Sequence, residues 1–194
     1  MHSDAPGGKE TMSEKKIVLH PVNPWAILQD PELLIDSLRG AGLIGTSFSH
    51  FGDLHYRAGP RFRELVRFKS AEPSPGSPDS ALHVSLLQTT TEPAFLGGAN
   101  AQAPQCPECR APLVDWRTQL VDWQRDTRGY QWLCRKCGKK AQVHQLDWQR
   151  SAGISRYSLD LWGISAGEAI PSAELLNSLE RQTLESWTYF YYRL

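Results

Sequence analysis

The feature that most constrains this chain of 194 residues is the placement of its four cysteines. They form two pairs, Cys106-Pro107-Glu108-Cys109 and Cys134-Arg135-Lys136-Cys137, separated by 24 residues. A two-residue gap lets one tight turn aim both sulfurs at one ion, and two such turns supply the four thiolates of a closed tetrahedral zinc site. No position is left for substrate or water, so one structural zinc ion on Cys106, Cys109, Cys134 and Cys137 is expected. Gly138 suits the positive-φ turn that ends such a knuckle, whereas Arg110 stands in the corresponding place of the first pair and departs from that pattern.

Other uses of these cysteines carry different requirements. A redox pair calls for a strand-to-helix setting around one CxxC, which neither pair has. A rubredoxin-like iron site uses the same four thiolates, and spacing alone does not separate it from zinc. The first knuckle, the second knuckle with its glycine, and the alternating run 141–148 together resemble the zinc-ribbon class over residues 104–150. That resemblance implies a metal and a small β-sheet, and no particular activity.

The same segment repeats a local motif: Val114-Asp115-Trp116-Arg117, Val121-Asp122-Trp123-Gln124-Arg125 and Leu146-Asp147-Trp148-Gln149-Arg150. On a helix, Trp116 and Trp123 would share nearly one face. Two readings follow. The rings of Trp116, Trp123, Trp132 and Trp148 fill the core of a module with little apolar content of its own, or Trp116 and Trp123 meet a partner. Between Cys106 and Arg150 nine basic residues face five acidic ones, an excess of four. Four zinc-bound thiolates would offset about half of it, since the ion neutralises only two of their charges. The basic run Arg135, Lys136, Lys139 and Lys140 is therefore a candidate partner-binding surface and also a counterweight to the metal centre.

The flanks carry α+β patterning. A strand is expected at 17–22, then a helix capped by Asp30, with Pro31 in its first turn, Leu34, Leu38 and Ala41 on one face and Gly42 at its end. Residues 61–69 fit either a strand with Phe62, Val66 and Phe68 inward or a helix grouping Phe62, Leu65 and Val66. Further strands are expected at 81–89, 154–164 and 187–193, with a second helix opening at Ser172. Asp30-Pro-Glu-Leu-Leu and Ser172-Ala-Glu-Leu-Leu suggest two strand-helix-strand halves. The expected fold is thus α+β, the halves forming a small mixed sheet with an inserted or appended zinc ribbon. Its divisions are a disordered tail at 1–14, an N-terminal part at 15–103, the ribbon at 104–150 and a C-terminal part at 151–194, with exposed loops at 70–80 and 97–105.

The 21 basic and 21 acidic residues balance, so no overall field draws the chain to nucleic acid or to an anionic membrane. No signal-like N-terminus and no run of roughly 18 apolar residues occurs. The expected compartment is the cytosol, where thiols stay reduced. There is no GxxxxGK[ST] loop for a nucleotide, no HExxH, no GxSxG, and no cysteine beyond the four. His20, His50, His55 and His83 could converge in space, though a structural role is the commoner fate of such residues. The leading expectation is a non-catalytic adaptor that binds another protein, followed by a nucleic-acid-binding protein and then by an enzyme with an unrecognised site.

Overall fold

A computed structural model describes residues 15–50, 52–69, 82–88 and 91–194. The expected tail at 1–14 and the loop at 70–80 lie outside the described residues. Four helices and twelve strands occur among the rest, an α+β fold. Among the described residues no helix is long and apolar enough to cross a membrane.

The main sheet has six strands. β1 (Lys15–Pro21) lies between β12 (Trp187–Arg193) and β10 (Tyr157–Trp162), and β5 (His83–Gln88), β3 (Asp53–Ala58) and β2 (Ile44–His50) continue from β10 to the far edge. Every neighbouring pair is antiparallel, where the sequence pattern suggests a mixed sheet. Strands of like direction exist only as non-neighbours: β10 and β12 run the same way with β1 inserted between them. The two expected halves therefore interleave, because the N-terminal strand completes the sheet of the C-terminal unit.

Both expected helices form where their caps stand. α1 (Pro31–Gly40) opens with Asp30 Oδ1 accepting from the Leu33 N–H at 2.9 Å, and it buries Leu34, Ile35 and Leu38. α4 (Ala173–Thr183) opens with Ser172 Oγ accepting from the Leu175 N–H at 3.2 Å, and it buries Leu175 and Leu179. Each cap satisfies a backbone donor that the first helical turn leaves without a partner. Gly42, at φ 77°, leads the chain out of α1, and a Cβ on Gly59 would sit 2.3 Å from the Gly42 carbonyl, so both positions need glycine.

The ambiguous segment 61–69 does both things in turn. One helical turn, α2 (Phe62–Leu65), buries Phe62 and Leu65, and β4 (Val66–Phe68) follows at once to pair with β11 (Ala169–Pro171). The expected strand at 154–164 is two strands. β9 (Ala152–Ser155) pairs with β6 (Ala94–Gly97), whereas β10 belongs to the main sheet. Arg156 sits at the break, where the Ser155 hydroxyl donates to the Tyr157 carbonyl at 2.9 Å.

Two buried clusters organise the molecule. The first takes residues from both flanks, including Ile17, Leu19, Leu38, Phe62, Val84, Leu159, Leu161 and Leu179. The second holds Leu113, Trp116, Leu120, Trp123, Trp132, Val143, Leu146, Trp148 and Ile154 with two of the cysteines. They meet at the edge of the main sheet. The Ala99 N–H donates to Arg193 O at 2.8 Å, the Tyr191 N–H donates to Arg150 O at 3.1 Å, and the Asn100 amide bonds both Tyr191 O and the Arg193 N–H. The outward backbone groups of Tyr191 and Arg193 at the end of β12 are thereby covered, which protects that part of an edge that would otherwise recruit foreign strands.

Candidate metal centre

The two cysteine pairs fold into turns with the same hydrogen bonds. In the first, the Arg110 N–H donates to Cys106 O at 3.0 Å and the Cys106 N–H donates to Ala111 O at 2.9 Å. In the second, the Gly138 N–H donates to Cys134 O at 2.8 Å and the Cys134 N–H donates to Lys139 O at 2.9 Å. Residue for residue the knuckles match, down to the left-handed residue that ends each: Arg110 at φ 57° and Gly138 at φ 72°. The departure noted at Arg110 is thus one of residue type alone. The backbone takes the glycine-like conformation in spite of the side chain.

These turns face each other. Cys106 Sγ lies 3.7 Å from Cys137 Sγ, Cys109 Sγ lies 3.6 Å from Cys134 Sγ, and all four sulfurs fall within 4.8 Å of one another. A tetrahedral ion bound at about 2.3 Å would space its sulfurs by about 3.8 Å, so the four cysteines could hold a metal ion with little movement. No other group of three or more ligating side chains converges this way among the described residues.

No family model, characterised protein or solved structure matches the chain. The centre therefore has to be judged on its own chemistry. Backbone N–H groups of Cys137 and Lys136 bond the Cys134 sulfur and hold its pKa down to about 6. The Lys139 N–H acts on Cys137 in the same sense, but desolvation and the sulfurs of Cys109, Cys134 and Cys106 outweigh it, and Cys137 is pushed up to about 12. Cys134 thus favours its thiolate, whereas Cys137 resists ionising unless a cation offsets the repulsion from the sulfurs around it.

The scaffold around the sulfurs is aromatic. α3 (Trp116–Arg125) turns Trp116, Leu120 and Trp123 inward, as the seven-residue spacing of the two tryptophans requires. Trp148 stands among Phe95, Trp116 and Trp132 at ring-centre distances of 5.2, 5.6 and 6.4 Å, and its indole N–H donates to Val143 O at 3.0 Å. Trp116 and Trp123 are both buried, which takes them off the candidate partner surface and assigns them to the core. Arg135, Lys136, Lys139 and Lys140 are exposed, and beside them Leu133 leaves 55% of its surface in water.

Run 141–148 does not form the strand that a ribbon suggests. β7 (Trp132–Leu133) and β8 (Lys140–Ala141) make a two-residue ladder, after which Val143–Gln145 turns into a 3-10 helix. The Gln142 and Gln145 side chains bond each other's backbone across that turn. Buried positions fall at 141, 143, 146 and 148, so the alternation slips by one residue in the middle. The spacer between the knuckles likewise holds α3, a helix.

Of the four histidines that could converge, three do. His50 on β2, His55 on β3 and His83 on β5 have ring centres 5.0 to 5.4 Å apart, with Phe48 and Trp162 against them. Desolvation chiefly, and then the charge of His50, lowers the pKa of His55. Next to this group lies a buried pair, Lys16 Nζ to Asp160 Oδ2 at 2.6 Å, with the Ser158 hydroxyl donating to the same carboxylate at 2.8 Å. His20 stands apart. It packs on Phe190, bonds Pro21 O through Nδ1 at 2.8 Å, and is held near pKa 4 by burial. The β2–β3 hairpin that builds the histidine group is absent from the sequence expectations, although Gly52 between two alternating runs was a usable signal.

Proposed function

We propose that this chain is a zinc-stabilised adaptor: one structural zinc ion on Cys106, Cys109, Cys134 and Cys137 folds the module, and the exposed second knuckle docks on another protein. The observation that carries the metal assignment is the match between the two knuckles together with sulfur pairs at 3.6 and 3.7 Å. Thiolate ligands and tetrahedral spacing suit zinc, and four protein ligands leave no open position for catalysis. The resemblance to zinc ribbons then rests on the metal site rather than on the surrounding strands.

Docking is assigned to the surface of the second knuckle because it combines Arg135, Lys136, Lys139 and Lys140 with the exposed Leu133, which stands across the ladder from Lys140. An apolar contact ringed by cations fits a patch on a partner that is acidic at its rim. Nucleic acid is the weaker reading, because the bound thiolates offset about half of the module's excess charge and the whole chain is neutral.

One experiment separates the two. The full chain and its Lys139→Ala/Lys140→Ala variant are used to capture partners from the native lysate, with and without nuclease. The adaptor reading expects a protein that survives nuclease and is lost with the double variant. Capture of RNA or DNA, with submicromolar binding that persists at about 150 mM salt and disappears in the variant, would put nucleic acid first.

A further inference from the structure

Three imidazoles on one metal ion have a predictable spacing. With a metal–nitrogen bond of about 2.1 Å, and the ring centre about 1.15 Å beyond the nitrogen, tetrahedral angles put the ring centres about 5.3 Å from one another. The observed separations are 5.1 Å for His50–His55, 5.4 Å for His50–His83 and 5.0 Å for His55–His83, with interplanar angles of 74°, 63° and 53°. The three residues come from adjacent strands of one rigid sheet, and Phe48 pairs with His55 as Trp162 pairs with His83 in the ladders.

We propose that His50, His55 and His83 form a second metal site, for a divalent first-row transition ion, distinct from the four-cysteine centre. Imidazole suits zinc, cobalt, nickel and copper, and three protein ligands leave one position open, unlike the closed thiolate centre. An independent observation points the same way. His55 is only 4% exposed, and its Nδ1 has no hydrogen-bond partner among the described residues, which is costly for a buried polar atom unless a ligand meets it. His50 and His83 are half-buried, so the group opens toward solvent and an ion has a way in. Asp53 stands across the ladder from His50 and two residues from His55 on the same strand, where its carboxylate supplies negative charge. The nitrogens do not yet converge as the sulfurs do, so the rings turn about their Cβ–Cγ bonds on loading. That rotation leaves the ring centres, and hence the 5 Å spacing, in place.

The test uses the full chain with its cysteine centre already filled with zinc, titrated with Co2+ near neutral pH. The site predicts one further equivalent per chain, bound with visible d–d absorption but without a thiolate-to-cobalt charge-transfer band. It also predicts broadening of the imidazole signals of three of the six histidines. His50→Ala and His83→Ala should each weaken this equivalent by at least about tenfold while leaving the zinc content unchanged, since loss of even a second-shell group costs that much. Both positions are half-buried, and an unaltered far-UV spectrum checks their folding. The proposal is overturned if the wild-type chain takes no further equivalent, if cobalt enters with a thiolate band, or if binding is unchanged in both variants.

Discussion

Arg110 and Gly138 occupy equivalent places in the two knuckles, and reciprocal substitutions there test whether both turns grip the same ion. Gly138 sits at φ 72°, and a Cβ added to it would meet nothing within 4 Å, so Gly138→Ala costs only the left-handed backbone penalty, about 1 kcal/mol. Arg110, at φ 57°, already carries that penalty. Its side chain returns little, because the contact with Asp147 is 3.3 Å long and the two groups are 76% and 40% exposed, an ion pair worth a few tenths of a kcal/mol at most. Arg110→Gly should therefore gain about 1 kcal/mol, less that small loss. Binding is coupled to folding of the turns, so these energies appear in the metal affinity, where 1.4 kcal/mol is a factor of about ten. Competition against a chelator of known affinity should show Gly138→Ala weaker by about fivefold and Arg110→Gly tighter by about threefold to fivefold. If both substitutions weaken binding, or neither changes it, the equivalence of the knuckles is wrong.

Cys134→Ser should unfold the metal module while sparing the first core. α3 supplies ten helical residues against ten in α1 and eleven in α4, so about a third of the long-helix signal should vanish from the far-UV spectrum, with a red shift from Trp116, Trp123, Trp132 and Trp148. Complete collapse of the spectrum would show the two cores to be one folding unit. The depressed pKa of His20 sets an acid limit. Above pH 6.5 the residue is neutral whether the chain is folded or not. As pH falls from 6.5 toward 4 the unfolded chain gains a proton that the buried ring refuses, so stability should drop by roughly 3 kcal/mol over that window. Urea midpoints measured for the wild type and for His20→Gln across pH 4 to 6.5 would check it; equal slopes in both proteins would contradict the assignment.

Local chemistry was the legible part of this fold. Asp30 and Ser172 mark their helices because a cap needs only residues within one turn, and the cysteine gaps mark their knuckles for the same reason. What escaped was set by distant parts of the chain. Strand β2 reads Ile-Gly-Thr-Ser-Phe-Ser-His, with no aliphatic residue beyond Ile44, and its Phe48 packs against His55 and His83 rather than aliphatic residues. The break at Arg156 exists because β9 and β10 serve different sheets, and nothing in an apolar run announces a change of partner. Run 141–148 did carry its own warning. Buried spacings of two, three and two residues are a phase slip that a continuous strand does not tolerate, and the slip coincides with the 3-10 turn. Burial of Trp116 was decided by the rings of Phe95 and Trp148 that stand against it, and Trp123 belongs to the same buried cluster, an arrangement that spacing alone leaves open.

One zinc ion on the four cysteines is proposed as the structural keystone of the module. Elemental analysis of the full chain, purified without added metal and passed through a weak chelating resin, tests it most directly when paired with titration of accessible thiols. One zinc per chain and no readily titratable thiol are expected, with all four thiols appearing once a strong chelator removes the ion. Iron in place of zinc, or a folded chain free of metal with four reactive thiols, would contradict it.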